Sequence, residues 1–444
     1  DGVFVPIDAE EQEKQGGSAS IAGNKAASSV DHHNFTSIVH SKVRQLLFSM
    51  KADRAAEMAI EAWNRVDPKT GKPARQKPVL AMESTFGAFL KDYVKTHDLK
   101  DGDVVDADYR DILLSALEGS RRISVKDDKG NDLDPIQIEL EQLDPTTKLA
   151  YESAEQLIRD LDIGDLPLSP IDHMRWKLEE AGISVEEITG RGLRIDYSSG
   201  EAILRNIPNQ KPLKRGKING FNSGSVDALI LNVSGSTGLS IHSSANFEDQ
   251  RPRKMIVVQT MQDINILMQM LGRVNRTGQV VVPEYILMGV DLPAEKRPMA
   301  ITARKMTSLN ANTSANDESD TSIDAPDMLN KYGDRVINTY LQENMDIARM
   351  TGVEVAFGDA APEIGLAMKF TGRLALMPVA LQEEVYADVE ESYEAEIDYL
   401  TRTGQNELIA QTVDLDARIK DSRIVYEGKA PETIFGGNTT LHKT

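Results

Sequence analysis

Gln269, Arg273 and Arg276 stand in the run QMLGRVNRTGQ (269–279), four and then three residues apart, with Gly272 among them. On a helix this spacing projects an amide and two guanidiniums from roughly one face. Such a face suits a polyphosphate, whose terminal oxygens gain charge during transfer and are met by planar, bidentate donors. A guanidinium that reaches them is typically worth about 10³–10⁵ in rate. Gly272 lacks a Cβ and lets another backbone approach closely. The competing reading of the same residues is an ordinary helix with surface arginines.

A second stretch supports the phosphate chemistry. GSTGLS (235–240) leaves the apolar run DALILNV (227–233), and its glycines and hydroxyls allow backbone amides to meet a phosphate. By itself a Gly/Ser loop is more often a turn than a site. Apolar strand, loop, second strand and arginine helix in that order make a more specific pattern. The patch RNIPNQKPLKRGK (205–217) carries Arg205, Lys211, Lys214, Arg215 and Lys217, and reads either as a local basic track or as a solvated loop between two strands.

The elements that must position these groups follow from the pattern of apolar residues. KPVLAMEST (77–85), SVEEITGR (184–191), DALILNV, RKMIVVQT (253–260) and PEYILMGV (283–290) read as strands. Helical spacing covers 35–66, FGAFLKDYVKTH, 171–183 and 261–276. Alternation of this kind predicts an α/β fold with a parallel sheet, and ligands at the carboxyl ends of its strands. The expected division is a linker and leading helix over 1–68, a sheet domain over 69–311 with an acidic helical insertion at about 94–170, and a mainly helical region over 312–444. The polar acidic stretch 312–327 marks the connector.

Composition removes several function classes. Cysteine is absent, which excludes disulfides, thiolate catalysis and Cys-based zinc. Among the histidines, DHHNF (31–35) has no second ligand pair at useful spacing, and no metal site is assigned. Seventy acidic against fifty basic side chains argue against a chain that coats nucleic acid everywhere, without excluding a local basic track. No apolar run reaches membrane-spanning length and no signal peptide is visible, so a cytoplasmic location is expected, or a nuclear one in a eukaryote.

The strand ending in Ser84 and Thr85, VSGSTGLSIHSS (233–244) and QMLGRVNRTGQ resemble motifs IV, V and VI of the second RecA-like domain of superfamily 2 helicases. MESTFGAFL (82–90), VEEITGR (185–191), the segment 282–311, NKYG (330–333) and FTGRLALMPVALQEEVY (370–386) narrow the resemblance to the Strawberry notch family, over about residues 70–420. This resemblance implies a RecA-like parallel sheet flanked by helices, with a mainly helical C-terminal region. It further implies half of an ATP-dependent DNA translocase or helicase-like NTPase.

On that resemblance Arg276 is the arginine finger, Arg273 a second γ-phosphate contact, and Gln269 an interface and phosphate ligand. Gly235, Gly238, Ser240 and Gly272 belong to the nucleotide-facing loops, although Ser240 stands where many relatives carry Asp or Asn, which puts a ribose contact in question. Ser84, Thr85, Thr189, Arg191, Ser236 and Thr237 would meet the nucleic-acid backbone, which positions a strand without reading its sequence. ATP and Mg²⁺ are the implied cofactors. DNA and a first RecA-like domain are the implied partners, with a DNA methyltransferase module a further candidate. No G-x-x-x-x-G-K-[ST] occurs, GNKAASS (23–29) failing the spacing, and no magnesium-binding acidic motif follows an early strand. The chain therefore reads as the C-terminal half of a larger motor that is inactive by itself. The alternative is a non-catalytic RecA-like platform for partner or DNA binding.

Overall fold

A computed structural model describes residues 35–85, 87–123, 136–208, 210–236, 238–259, 261, 263–313, 328–358, 360–408, 423–429 and 438–443. In chain order the elements are α1 (Phe35–Trp63), β1 (Lys77–Met82), α2 (Gly87–Thr96), α3 (Tyr109–Gly119), α4 (Pro145–Asp160), α5 (Pro170–Glu180) and β2 (Val185–Ile188). There follow β3 (Leu193–Asp196), β4 (Ile203–Asn206), α6 (Gln210–Ser223), β5 (Ala228–Asn232), α7 (Val233–Ser236), β6 (Arg253–Val257), α8 (Ile264–Leu271) and β7 (Glu284–Leu287). Beyond them come α9 (Pro293–Thr313), α10 (Lys331–Glu343), α11 (Met345–Thr351), α12 (Leu366–Leu374) and α13 (Val379–Arg402). An antiparallel pair, Arg423–Lys429 with Asn438–Lys443, closes the described chain.

The five predicted strands form one parallel sheet in the order β2-β5-β1-β6-β7. Every residue of β1 and β5 is buried, because helices cover both faces of an all-parallel sheet. Side chains alternate between two cores. Leu80, Met82, Ala228, Ile230 and Ile256 face one with α1, α3 and α5, while Val79, Ala81, Leu229, Leu231 and Val257 face the other with α8. Each buried Val, Leu, Ile or Met side chain among them is stabilised by about 1.5–3 kcal/mol over its exposed state. The expected RecA-like sheet flanked by helices is thus the observed architecture.

Three expectations need correction or extension. Helix α1, expected as a lead-in, is an integral layer: Phe48, Ala52, Ala55, Ala56 and Ala59 lie in the same core as Leu80. The patch 205–217 is not a loop between two strands, since α6 starts at Gln210 within it. The insertion expected at about 94–170 contributes Val105, Tyr109, Ile112 and Leu168 to that first core. The C-terminal helices have their own core of Leu329, Tyr332, Ile337, Leu341, Leu366 and Phe370. A buried ion pair joins the parts: Lys51 Nζ of α1 lies 2.5 Å from Glu295 Oε1 at the start of α9. The acidic connector falls largely outside the described residues.

Candidate anion site

The sheet's carboxyl edge is tied together by two short polar devices. After β1, the amides of Glu83 and Ser84 donate to Gln259 Oε1 at 3.1 and 2.8 Å, which fastens that turn to the segment leaving β6. Ser84 and Thr85 are half-buried there. After β5, Asn232 Oδ1 accepts from the amide of Gly235 at 2.7 Å and starts the single turn α7. Gly235 is fixed by sterics, since a Cβ there would lie 1.8 Å from the Ile188 carbonyl oxygen that ends β2. Gly238 has φ +74°, a left-handed conformation that glycine adopts without strain. Thr237 and the side chain of Ser236 lie outside the described residues.

The arginines do not share a helix. Asp263 caps α8 by accepting from the amide of Asn265 at 2.8 Å, and the helix ends at Leu271 with Gly272 as its C-cap. Arg273 and Arg276 follow in a turn. Gln269, in the last helical turn, is exposed. The pair therefore converges through tertiary contacts rather than helical periodicity. Arg276 donates to Gly272 O (3.1 Å), Ser240 Oγ (3.3 Å) and Leu239 O (2.8 Å), resting on the segment that leaves β5. Arg273 is half-buried, and its Nε is wholly buried without an acceptor. Its own carbonyl accepts from the amide of Ile241 at 3.2 Å.

The electrostatics of this corner are one-signed. Burial, then the charge of Arg276, lowers the Arg273 guanidinium from its ordinary range. Burial, then Arg273, lowers Lys214 of α6. Burial, then Arg276 and Arg253, lowers His242. Neither Arg273 nor Arg276 has a carboxylate within ion-pair distance among the described residues. Lys214 of α6 and the two guanidiniums of the post-α8 segment, with one buried Arg273 donor lacking an acceptor, are suited to an anion. The residues present fit the outer phosphates of a nucleotide. They do not supply a magnesium site, since no group of His, Asp and Glu able to hold a metal occurs among the described residues.

Thr189 and Arg191 are not part of this surface. Arg191 is buried, with Nη2 2.5 Å from Asp172 Oδ1 and Nε 2.6 Å from Glu187 Oε1, and Thr189 donates to the same Glu187. A guanidinium so committed in the interior has no donors to offer a phosphate strand. Sequence reasoning missed Asn222, His242, Gln259 and the carboxylates Asp172 and Glu187. Lys214 was visible as part of a basic patch, but its placement beside Arg273 was not.

Residues 169–412 match the family model described as the C-terminal domain on Strawberry notch homologue. The chain is 25% identical over 257 residues to protein strawberry notch homolog 1 of Rattus norvegicus, covering 54% of this chain and 20% of that protein. It is 28% identical over 216 residues to protein strawberry notch of Drosophila melanogaster, with 45% and 13% covered. Against protein strawberry notch homolog 2 of Homo sapiens it is 27% identical over 215 residues, with 45% and 16% covered. The matched part thus spans a fifth or less of each of these relatives. No helix among the described residues is long and apolar enough to cross a membrane. With more than half of its length matched by the model and its parallel sheet in place, the chain belongs to the Strawberry notch family and carries that family's helicase-type C-terminal domain.

Proposed function

We propose that this chain is the second lobe of an ATP-driven DNA motor, in which Arg276 and Arg273 reach across a cleft to a nucleoside triphosphate held by a companion lobe. The single observation that supports the reading is the Arg273–Arg276 corner, where neither guanidinium has a carboxylate within ion-pair distance among the described residues and Arg273 Nε is buried without an acceptor. Triphosphate and Mg²⁺ would be held mainly by the companion, and the phosphate supplies the electrophile when bound. This chain's part is electrostatic: its guanidiniums oppose the charge that gathers on the transferred group. Gln269, exposed beside them, would line the interface. Gly235, Gly238 and Ser240 would flank the phosphates and ribose. Ser84, Thr85, Ser236 and Thr237 would lie along the DNA backbone.

The test is hydrolysis measured in two arrangements. By itself the 444-residue chain should show no meaningful ATP turnover. Joined to the companion lobe it should hydrolyse ATP faster when DNA is present, and Arg276→Ala should lower the rate by about 10³-fold or more. Turnover that survives Arg276→Ala overturns the assignment. A non-catalytic platform is favoured by one fact, that Arg276 already bonds to Leu239 and Ser240 of its own lobe. The same measurement separates the two readings, because a platform gains no turnover from the companion.

A further inference from the structure

Three consecutive carbonyl oxygens in the segment leaving β5 are each taken by a different side chain. Leu239 O accepts from Arg276 Nη2 at 2.8 Å, Ser240 O from Asn222 Nδ2 at 3.1 Å, and Ile241 O from Arg253 Nε at 3.1 Å. Asn222 lies in the last turn of α6, and Arg253 opens β6. The peptide between Ser240 and Ile241 is planar and trans, so its carbonyl and its amide point in opposite directions. That amide donates to Arg273 O at 3.2 Å. One rigid unit therefore links the Asn222 amide to the main chain of Arg273, while the neighbouring carbonyl carries the guanidinium of Arg276.

Asn222 is 7% exposed, and its Oδ1 has no partner. A buried acceptor left unmet is destabilising, so packing alone favours an apolar residue at this position. The donor half of the amide makes one bond, to Ser240. A carbonyl oxygen facing a bound phosphate would repel it, and a side-chain donor that fixes the carbonyl's direction prevents that. Arg253 does the same for Ile241, but it also bonds to Asp249 O at 2.8 Å in the interior, so its removal would disturb the fold as well.

We propose that Asn222 is a positioning residue for the anion site: through the Ser240–Ile241 peptide it sets the spacing of Arg273 and Arg276 and keeps the Ser240 carbonyl turned from the phosphate. The inference rests on the reading of Arg273 and Arg276 given above. It goes beyond that reading by assigning a role to Asn222, which is not among the residues named there.

The experiment titrates inorganic tripolyphosphate into the full chain carrying ¹³C-labelled histidine, following the His242 resonance. Asn222→Leu should unfold cooperatively, exchange its Ile241 amide faster, and bind tripolyphosphate about five- to tenfold more weakly. Asn222→Asp keeps the shape and replaces the donor with a carboxylate, so it should bind at least as weakly. It carries the test if the leucine variant fails to fold. Wild-type affinity in a folded Asn222 variant, with Arg276→Ala losing binding, overturns the role of Asn222 and leaves the site standing. Unchanged binding in Arg276→Ala, or none by the unaltered chain, overturns the site and this inference together.

Discussion

His242 lies where it can report on the proposed anion site, beside Arg276. Burial and the guanidiniums of Arg276 and Arg253 hold its imidazole below the ordinary value of 6.5. An anion seated on Arg276 offsets that like charge and favours the protonated ring. Tripolyphosphate should therefore raise the His242 titration midpoint, as followed by NMR. Arg191 gives the opposite kind of prediction. Replacing it with Leu leaves Asp172 buried without a cation and Glu187 with only Arg175, 3.9 Å away, which should cost about 3–5 kcal/mol in urea unfolding. Burial would raise Glu187, but the bonds and charge of Arg191 outweigh it and hold the carboxyl below its ordinary 4.5. The sign follows: that stability is present above 4.5 and is lost as pH falls through the lower folded value. In Arg191→Leu this part of the acid dependence should disappear. The nearness of Arg273 and Arg276 was visible in their spacing, but the helix expected to carry them ends at Leu271. Arg191 was misplaced because a sequence shows a charge but not its neighbour, here Asp172, nineteen positions away.

Among the elements, the strands were legible and the ends of the helices were not. Apolar runs such as the four residues before Asn232 can hardly be anything other than buried strands in an alternating chain. Helix α8 was read to 276 but stops at Leu271. Val274 is buried beyond the end, so the apolar period continues through a turn and spacing cannot separate the two. The stretch NKYG gains a physical meaning at the start of α10. Asn330 Oδ1 accepts from the amides of Tyr332 (2.9 Å) and Gly333 (3.2 Å), an N-cap. A Cβ on Gly333 would lie 1.7 Å from the Met328 carbonyl oxygen. Gly333→Ala should therefore displace the first turn of α10 and destabilise the C-terminal helices by about 1–3 kcal/mol, seen as a lower thermal midpoint with the sheet's far-UV signal retained.

At the scale of the whole molecule, one ion pair shows where the folding unit begins. The Lys51 ammonium also lies 3.3 Å from Met288 O, and the other oxygen of Glu295 accepts from the amide of Val290 at 2.8 Å. Lys51→Met should cost about 3–5 kcal/mol, because Glu295 would remain buried without its cation. Composition alone places the domain boundary near residue 69, and a polypeptide begun there lacks all of α1. Size-exclusion chromatography should find that shortened chain aggregated and one begun at 35 monodisperse, since one face of the sheet would otherwise meet water. Any recombination that transplants this domain into another protein, in the laboratory or in a genome, must carry the first helix along. A crossover placed after it separates Lys51 from Glu295 and so divides a single cooperative body.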